Sequence, residues 1–155
     1  MNRRSVSVFP LAAPLAAFVL VTALCACNGG IAIDPPEAIQ EVEATCVELA
    51  DSLPETVMGE LARETKPESS LTAAWGAPAI VLRCGVSRPT AATLSAELVS
   101  IEGVDWIAEE VPEGYIFTSW GRVANVEVTV PDDYSPEADP LFELAPAIKD
   151  VDPKI

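Results

Sequence analysis

The sequence predicts an α+β domain. A mainly antiparallel sheet of about four to five strands packs on an N-terminal helix, and a short helix follows at the C-terminus. Three observations support this prediction: an apolar stripe with helical spacing over residues 39–53, several strand-like segments over residues 79–130, and a second helical pattern after Asp139. Consecutive strands flanked by helices are typical of this fold class. A length of 155 residues suits one such domain.

The first helix is predicted to begin near Asp34, which can cap a helix, and Pro35 suits a first helical position. Pro54 ends it. A second short helix is predicted over residues 55–63 from the spacing of its apolar residues. The apolar stripe of the first helix recurs at steps of three and four and consists of Ile39, Val42, Cys46, Leu49 and Leu53.

Residues 79–84 have the composition of a strand. Because side chains alternate across a strand, Cys84 and Arg83 must lie on opposite faces. Glu102-Gly103 predicts a two-residue hairpin turn between residues 97–101 and 104–108. Gly121-Arg122 predicts a second such turn, between residues 115–120 and 123–130.

The last predicted helix begins at Asp139-Pro140 and places Leu141, Leu144 and Ile148 on one side. Pro146 lies inside this helix and is expected to bend it.

The composition of the chain excludes two classes of function. The chain has 24 acidic residues against nine basic ones and no histidine. Binding to nucleic-acid phosphates requires a basic surface, which such a chain lacks. Catalytic triads, Cys-His pairs and metal sites that depend on imidazole are impossible without histidine.

The N-terminus has the pattern of a bacterial lipoprotein signal. Arg3 and Arg4 precede an apolar stretch, and residues 5–33 carry no charge. Leu24-Cys25-Ala26-Cys27 resembles a lipobox, in which the last cysteine becomes the new N-terminus and carries fatty acyl chains such as palmitate. Residues 1–26 are then the signal peptide, residues 27–33 a flexible tether, and residues 34–150 a single domain.

The alternative is an uncleaved N-terminal membrane helix, since the uncharged stretch is long enough to span a bilayer. Plain secretion is the third possibility. All three place the domain outside the cytoplasm, and the lipid anchor is the favoured one. Processing removes two basic residues and no acidic one, so that seven basic and 24 acidic side chains remain, a net charge of −17.

Cys46 and Cys84 remain after processing, 38 positions apart. Two cysteines in an exported domain predict a disulfide. A redox or nucleophilic pair is the alternative, but the chain has no C-x-x-C motif and no histidine that could lower a thiol pKa.

Residues 73–86 (AAWGAPAIVLRCGV) resemble the signature of the domain-of-unknown-function family 3515, which belongs to exported or membrane-anchored proteins of high-GC Gram-positive bacteria. Residues 103–106, 115–122 and 126–131 also resemble its pattern, and Cys46 fits it. The resemblance covers about residues 46–148. It implies export and supports the pairing of Cys46 with Cys84, but it assigns no activity.

Arg83, Arg122 and Trp75 form the candidate ligand site, because arginine favours carboxylate and phosphate partners. The alternative is that the arginines pair with the abundant acidic side chains. The acidic residues around Asp132 and Asp133 are expected to be solvated rather than to bind Ca²⁺, and no metal or cofactor is predicted.

These features favour a non-enzymatic, lipid-anchored protein on the outer face of the cell membrane, which binds an envelope protein or an anionic ligand. A small cell-wall hydrolase or transferase and an accessory subunit of a membrane complex are the alternatives. No pair of residues identifies a reaction: Glu109 and Glu110, the obvious adjacent carboxylates, should point to opposite faces of a strand.

Overall fold

The computed structural model describes residues 29–88 and 98–155. These residues form two α-helices, ten strands and a short 3-10 helix at Asp132–Tyr134. In chain order the elements are β1 (Ile31–Ala32), α1 (Gln40–Ser52), β2 (Thr56–Val57), β3 (Glu60–Arg63), β4 (Thr65–Lys66), β5 (Thr72–Trp75), β6 (Ile80–Cys84), β7 (Leu98–Ile101), β8 (Val104–Val111), β9 (Gly114–Trp120), β10 (Val126–Pro131) and α2 (Asp139–Val151).

Eight of the strands form one sheet in the order β2-β3-β5-β6-β10-β9-β8-β7, and every neighbouring pair is antiparallel. The remaining two, β1 and β4, pair with each other in parallel. The α+β class and the antiparallel sheet are therefore as predicted. The predicted strand number of four to five is wrong, because the described sheet has eight strands.

Much of the difference lies in residues 55–63, which were predicted to be a short helix. They form the β2–β3 hairpin instead, whose turn places Met58 at φ 54° and Gly59 at φ 78°. Two successive positive φ angles define the type I′ turn that joins two antiparallel strands tightly. The segment is too short for its two apolar residues to separate helical spacing from this hairpin.

Helix α1 begins at Gln40, six residues after the predicted cap at Asp34. Pro36 disfavours the helical conformation of the residue before it, here Pro35, so the helix does not begin at the predicted position. The chain before the helix is engaged elsewhere: the Ile33 amide donates to the Lys66 carbonyl at 3.0 Å. The predicted end of the helix is confirmed, since its last residue is Ser52.

The hairpin at Glu102-Gly103 is confirmed, with Ile101 opposite Val104. The two-residue turn at Gly121-Arg122 is wrong. Strands β9 and β10 do pair, but residues 121–125 form a longer connection between them. Four of these residues bind the C-terminal end of the chain, which a two-residue turn would not permit.

The core lies on one face of the sheet. Strand β6 contributes Ile80, Leu82 and Cys84 to it, all at most 2 % exposed, and β10 contributes every second residue. The two helices cover this face, since the same cluster contains Leu49 of α1 and Leu144 of α2. The alternation that predicted opposite faces for Cys84 and Arg83 is confirmed.

The core includes a disulfide. Cys46 of α1 bonds to Cys84 of β6, with Cα atoms 5.6 Å apart, as the sequence predicts. Both residues are buried, at 0 % and 1 % exposure. The bond therefore joins the helix to the middle of the sheet across the interface that the core fills.

Removing this bond is expected to destabilise the domain. A crosslink spanning 38 positions lowers the entropy of the unfolded chain by the equivalent of about 4 kcal/mol. The Cys46→Ala/Cys84→Ala variant should lose about this amount of unfolding free energy in urea. Reduction of the disulfide in the unaltered domain should lower the unfolding free energy by a similar amount, and it leaves every side chain of the core in place. An unfolding free energy that neither change affects would contradict the prediction.

Candidate functional site

Trp75, a predicted ligand residue, belongs to the core. It lies on β5, is 1 % exposed, and faces the same side of the sheet as Ile80, its register partner. Its indole Nε1 donates a hydrogen bond to the Pro54 carbonyl at 3.0 Å. This contact fixes the chain directly after α1, so the ring has a packing partner and a polar partner inside the protein.

Arg83 lies on the opposite face of the sheet. Its Nη1 donates to Glu127 Oε1 at 3.0 Å, and the two residues are register partners on β6 and β10. The Arg83 side chain is 36 % exposed and that of Glu127 is 21 % exposed. Arg83 is therefore paired with an acidic side chain, which was the alternative to ligand binding.

This ion pair lines a surface cleft of about 410 Å³ between the end of β6 and the chain that leads into α1. Gly85 closes the space between these two segments, because a Cβ atom there would lie 2.9 Å from Ala38 Cβ. Its backbone also has φ 88°, which favours glycine. The cleft is lined by Pro36, Glu37, Arg83, Gly85, Val86, Ser87 and Glu127.

The charge of this cleft is net negative. One guanidinium, that of Arg83, faces the carboxylates of Glu37 and Glu127. The next cation along the chain, Arg88, lies over the Trp120 ring, 5.8 Å from its centroid. A bound anion would therefore have to displace Glu127 from Arg83, whereas a cationic group would meet two carboxylates.

Arg122 occupies a third place, under the C-terminal end of the chain. It is 2 % exposed. Its Nη2 donates to the Gly103 carbonyl at 3.0 Å and its Nη1 donates to the Asp152 carbonyl. Arg122 also forms a β-bridge with Lys154, whose ammonium pairs with Asp105 Oδ2 at 2.8 Å. This arginine joins the 121–125 connection, the β7–β8 turn and the chain terminus.

Asp152 is the buried carboxyl group beside Arg122, and it is fully buried. Its Oδ1 accepts a hydrogen bond from the Ala124 amide at 2.9 Å, and its Oδ2 has no hydrogen-bond partner. Burial raises the pKa of the Asp152 carboxyl from 3.8 to about 6, against the lowering effects of the Ala124 amide and the Arg122 charge. Sequence reasoning missed this residue, because an aspartate after a helix is usually solvated.

The three predicted ligand residues are thus in three separate environments: the core, the surface cleft and the C-terminal contact. Of these, the cleft beside Arg83 is the candidate functional site, because it opens to the surface and its lining side chains carry a net negative charge. Cys27 lies outside the described residues. Within residues 29–88 and 98–155, no three His, Cys, Asp or Glu side chains are grouped closely enough to hold a metal ion.

Comparison with known families gives one match. Residues 8–155 match the family model described as a protein of unknown function, DUF3515. The chain belongs to the DUF3515 family. No curated protein and no solved structure matches this DUF3515 chain. The family assignment that residues 73–86 suggested is confirmed, and the match is longer than the predicted 46–148.

Within the described part of this DUF3515 chain, neither helix has the length and apolar character needed to cross a bilayer.

Replacing Asp152 by asparagine is expected to remove a pH-dependent component of stability. Because the folded-state pKa of about 6 lies above the ordinary 3.8, the folded protein binds more protons than the unfolded chain between these values. Ionisation of Asp152 therefore lowers the free energy of unfolding as pH rises from about 4 to 6, and the loss is complete above pH 6. The full change is about 3 kcal/mol.

Urea unfolding of the unaltered protein and of Asp152→Asn, measured from pH 4 to pH 7, checks this. The difference between the unfolding free energies of the two proteins should shift in favour of the variant by about 2 kcal/mol over that range, because part of the full change lies below pH 4. Asp150→Asn, at an exposed position on α2, is the matched control for the loss of one carboxylate. A difference that does not change with pH would contradict the assignment.

Proposed function

We propose that this DUF3515 protein is a lipid-anchored protein on the outer face of the cell membrane, which binds a partner in the envelope and performs no catalysis. The partner is a protein or peptide that presents positive charge. The observation that carries the binding proposal is the surface cleft beside Arg83, with its ion pair to Glu127 and the second carboxylate of Glu37.

Export is supported by two independent features. The N-terminal pattern ends in a lipobox-like Leu24-Cys25-Ala26-Cys27. The buried bond between Cys46 and Cys84 belongs to the type of crosslink that persists in oxidising compartments outside the cytoplasm. Two or more acyl chains hold a protein stably on a bilayer, which is what a lipoprotein anchor provides.

Positive charge in the partner is supported by the charge of the cleft and of the whole mature chain. Arg83 is already paired with Glu127 at 3.0 Å, and the second carboxylate of the cleft, that of Glu37, forms no ion pair with any residue that the structure describes. The mature chain carries seven basic and 24 acidic side chains, a net charge of −17. Such a field speeds the approach of cationic surfaces and opposes that of anionic ones, and both effects weaken with salt.

The enzymatic alternative would need two carboxylates that face each other. The adjacent carboxylates considered from the sequence, those of Glu109 and Glu110, do not meet this requirement. Glu109 and Glu110 are neighbours on β8, opposite Ile116 and Tyr115 of β9, so their side chains point to opposite faces of the sheet. A hydrolase of cell-wall material should release soluble fragments from isolated walls. Such release by the purified mature domain would overturn the non-enzymatic proposal.

Replacing Cys27 by alanine is expected to prevent lipidation, so that the protein leaves the membrane fraction and loses the mass of its acyl chains. Cys25→Ala is the matched control and should remain lipidated, because it keeps Leu24, Ala26 and Cys27. Membrane fractionation with intact-mass measurement checks both variants. A Cys27→Ala protein that stays on the membrane with unchanged mass would support the uncleaved membrane helix instead.

A photo-reactive residue in place of Ser87, which is exposed on the cleft, is expected to crosslink the partner in living cells. Neutralising both carboxylates, with Glu37→Gln and Glu127→Gln, should reduce the crosslinked product several-fold, because the cationic partner loses its charge complement.

The matched control is the pair Glu109→Gln and Glu110→Gln, which removes two exposed carboxylates from another part of the sheet. A product that increases when Glu37 and Glu127 are neutralised would favour an anionic ligand on the freed Arg83. A product formed equally from a probe at the exposed Ser100 would place binding outside the cleft. Stoichiometric crosslinks to one integral membrane assembly would favour the accessory-subunit alternative.

A further inference from the structure

Residues 29–33, which begin two positions after the predicted lipid-bearing Cys27, are bound to the domain. Strand β1 pairs in parallel with β4, with Ile31 opposite Thr65. The Ile31 amide donates to the Glu64 carbonyl at 2.8 Å, and the Ile33 amide donates to the Lys66 carbonyl at 3.0 Å. We call residues 29–33 the N-terminal strap. Most of the segment that the sequence predicts to be a flexible tether is therefore this strap.

Two further contacts hold the strap in place. Ile33 is buried, at 8 % exposure. Gly30 lies so close to β4 that a Cβ atom there would be 2.9 Å from Lys66 Cγ and 3.1 Å from the Glu64 carbonyl oxygen. The glycine thus permits a close approach of two backbones, which is a different role from flexibility.

The strap also touches β3 at the point where the described chain begins. Arg63 Nη2 donates to the Gly29 carbonyl at 3.4 Å, while its Nη1 donates to the Gly76 carbonyl at 2.8 Å. The guanidinium therefore connects Gly29 to β3 and to the β5–β6 turn. Gly29 and Arg63 line the same surface cleft of about 250 Å³.

Little chain is left between this contact and the lipid. Cys27 precedes Gly29 by two residues, and two successive Cα–Cα steps span at most about 8 Å. A free tether over residues 27–33 would instead reach about 20 Å. With the strap bound, a lipid on Cys27 holds the β3 side of the domain close to the bilayer surface.

The β3 side also has a balanced charge, so an anionic bilayer repels it less than it repels α1. Residues 60–66 contain two acidic and two basic side chains, whereas α1 carries four acidic side chains and no basic one. Arg63 and Lys66 are two of the seven basic residues of the mature chain. Leu61 lies on the same strand, two residues from Arg63 and therefore on the same face, and is 70 % exposed.

We propose that the strap orients the anchored domain, so that the β2–β3 hairpin faces the membrane and the Leu61 side chain contacts lipid. This inference rests on the lipid anchor of the proposed function. The cleft beside Arg83 involves other strands, β6 and β10, so the membrane contact and the partner contact share no residue.

Lipid-quenching of a fluorescent label tests this orientation. The lipidated protein carries a single reactive thiol after Leu61→Cys, because Cys27 bears the lipid and Cys46 bonds to Cys84. In vesicles of phosphatidylglycerol with brominated acyl chains, a label at position 61 should be quenched at least two-fold more than labels at Val47→Cys and Phe142→Cys. These two control residues are 44 % and 52 % exposed, on α1 and α2 respectively.

Ile31→Pro tests the strap itself, since it removes the amide that donates to Glu64. Quenching at position 61 should then fall to the level of the two helix controls, while the protein remains on the vesicles. Ala32→Pro is the matched control: neighbouring amides of a strand point to opposite sides, so the Ala32 amide points away from β4 and both strap bonds remain.

Flotation with the vesicles separates the two proposals. A protein that fails to float lacks its anchor, which refutes the proposed function and this inference together. A protein that floats but is quenched equally at positions 61, 47 and 142 refutes the orientation alone. Unchanged quenching at position 61 in Ile31→Pro would show that the strap does not determine it, and would also overturn the inference.

Discussion

The covalent bond between Cys46 and Cys84 is the constraint on which the rest of the arrangement depends. It fixes α1 against β6, the fourth strand of an eight-stranded sheet, at a point where both partners are buried. The chain leading into α1 is thereby brought against Gly85, with its Ala38 packed where a side chain would otherwise lie. One wall of the candidate cleft, carrying Glu37, is a direct result. A domain with this much like charge also gains from a crosslink that acts without regard to pH or salt.

Several basic residues of this DUF3515 chain are engaged in contacts within the domain, whereas many acidic residues face solvent. Two of the seven basic residues, Arg63 and Arg122, are used on backbone carbonyls, where they join segments that are distant in the chain. Arg83 is held by Glu127. Helix α1 has four acidic residues and no basic one, so its solvent-facing side is acidic. For this reason we propose a cationic partner for the cleft although an arginine lies within it.

The sequence predicted the class of fold and five of the eight strands of the described main sheet, because these depend on local patterns. It predicted the disulfide because two cysteines remain in an exported domain. Alternation along residues 80–84 and 126–130 places side chains on two faces wherever the strands pair. The sequence did not predict the β2–β3 hairpin, since the two apolar residues of segment 55–63 fit both a helix and a hairpin. The candidate site was predicted only in part: Arg83 lies in a surface cleft, whereas Trp75 and Arg122 are buried elsewhere, and their burial depends on which distant segments cover them.

The amino-acid order alone determined the N-terminal signal pattern, the net charge, the absence of imidazole chemistry and the family to which the chain belongs, because each of these is a property of residue types and their local spacing. The tertiary structure alone decided the placement of single polar groups. Gly29 lies 34 positions from Arg63, and Asp152 lies 28 positions from Ala124, yet each pair is hydrogen-bonded. Contacts between such distant residues follow from how the sheet and its two helices exclude water, and no local pattern in the chain records them.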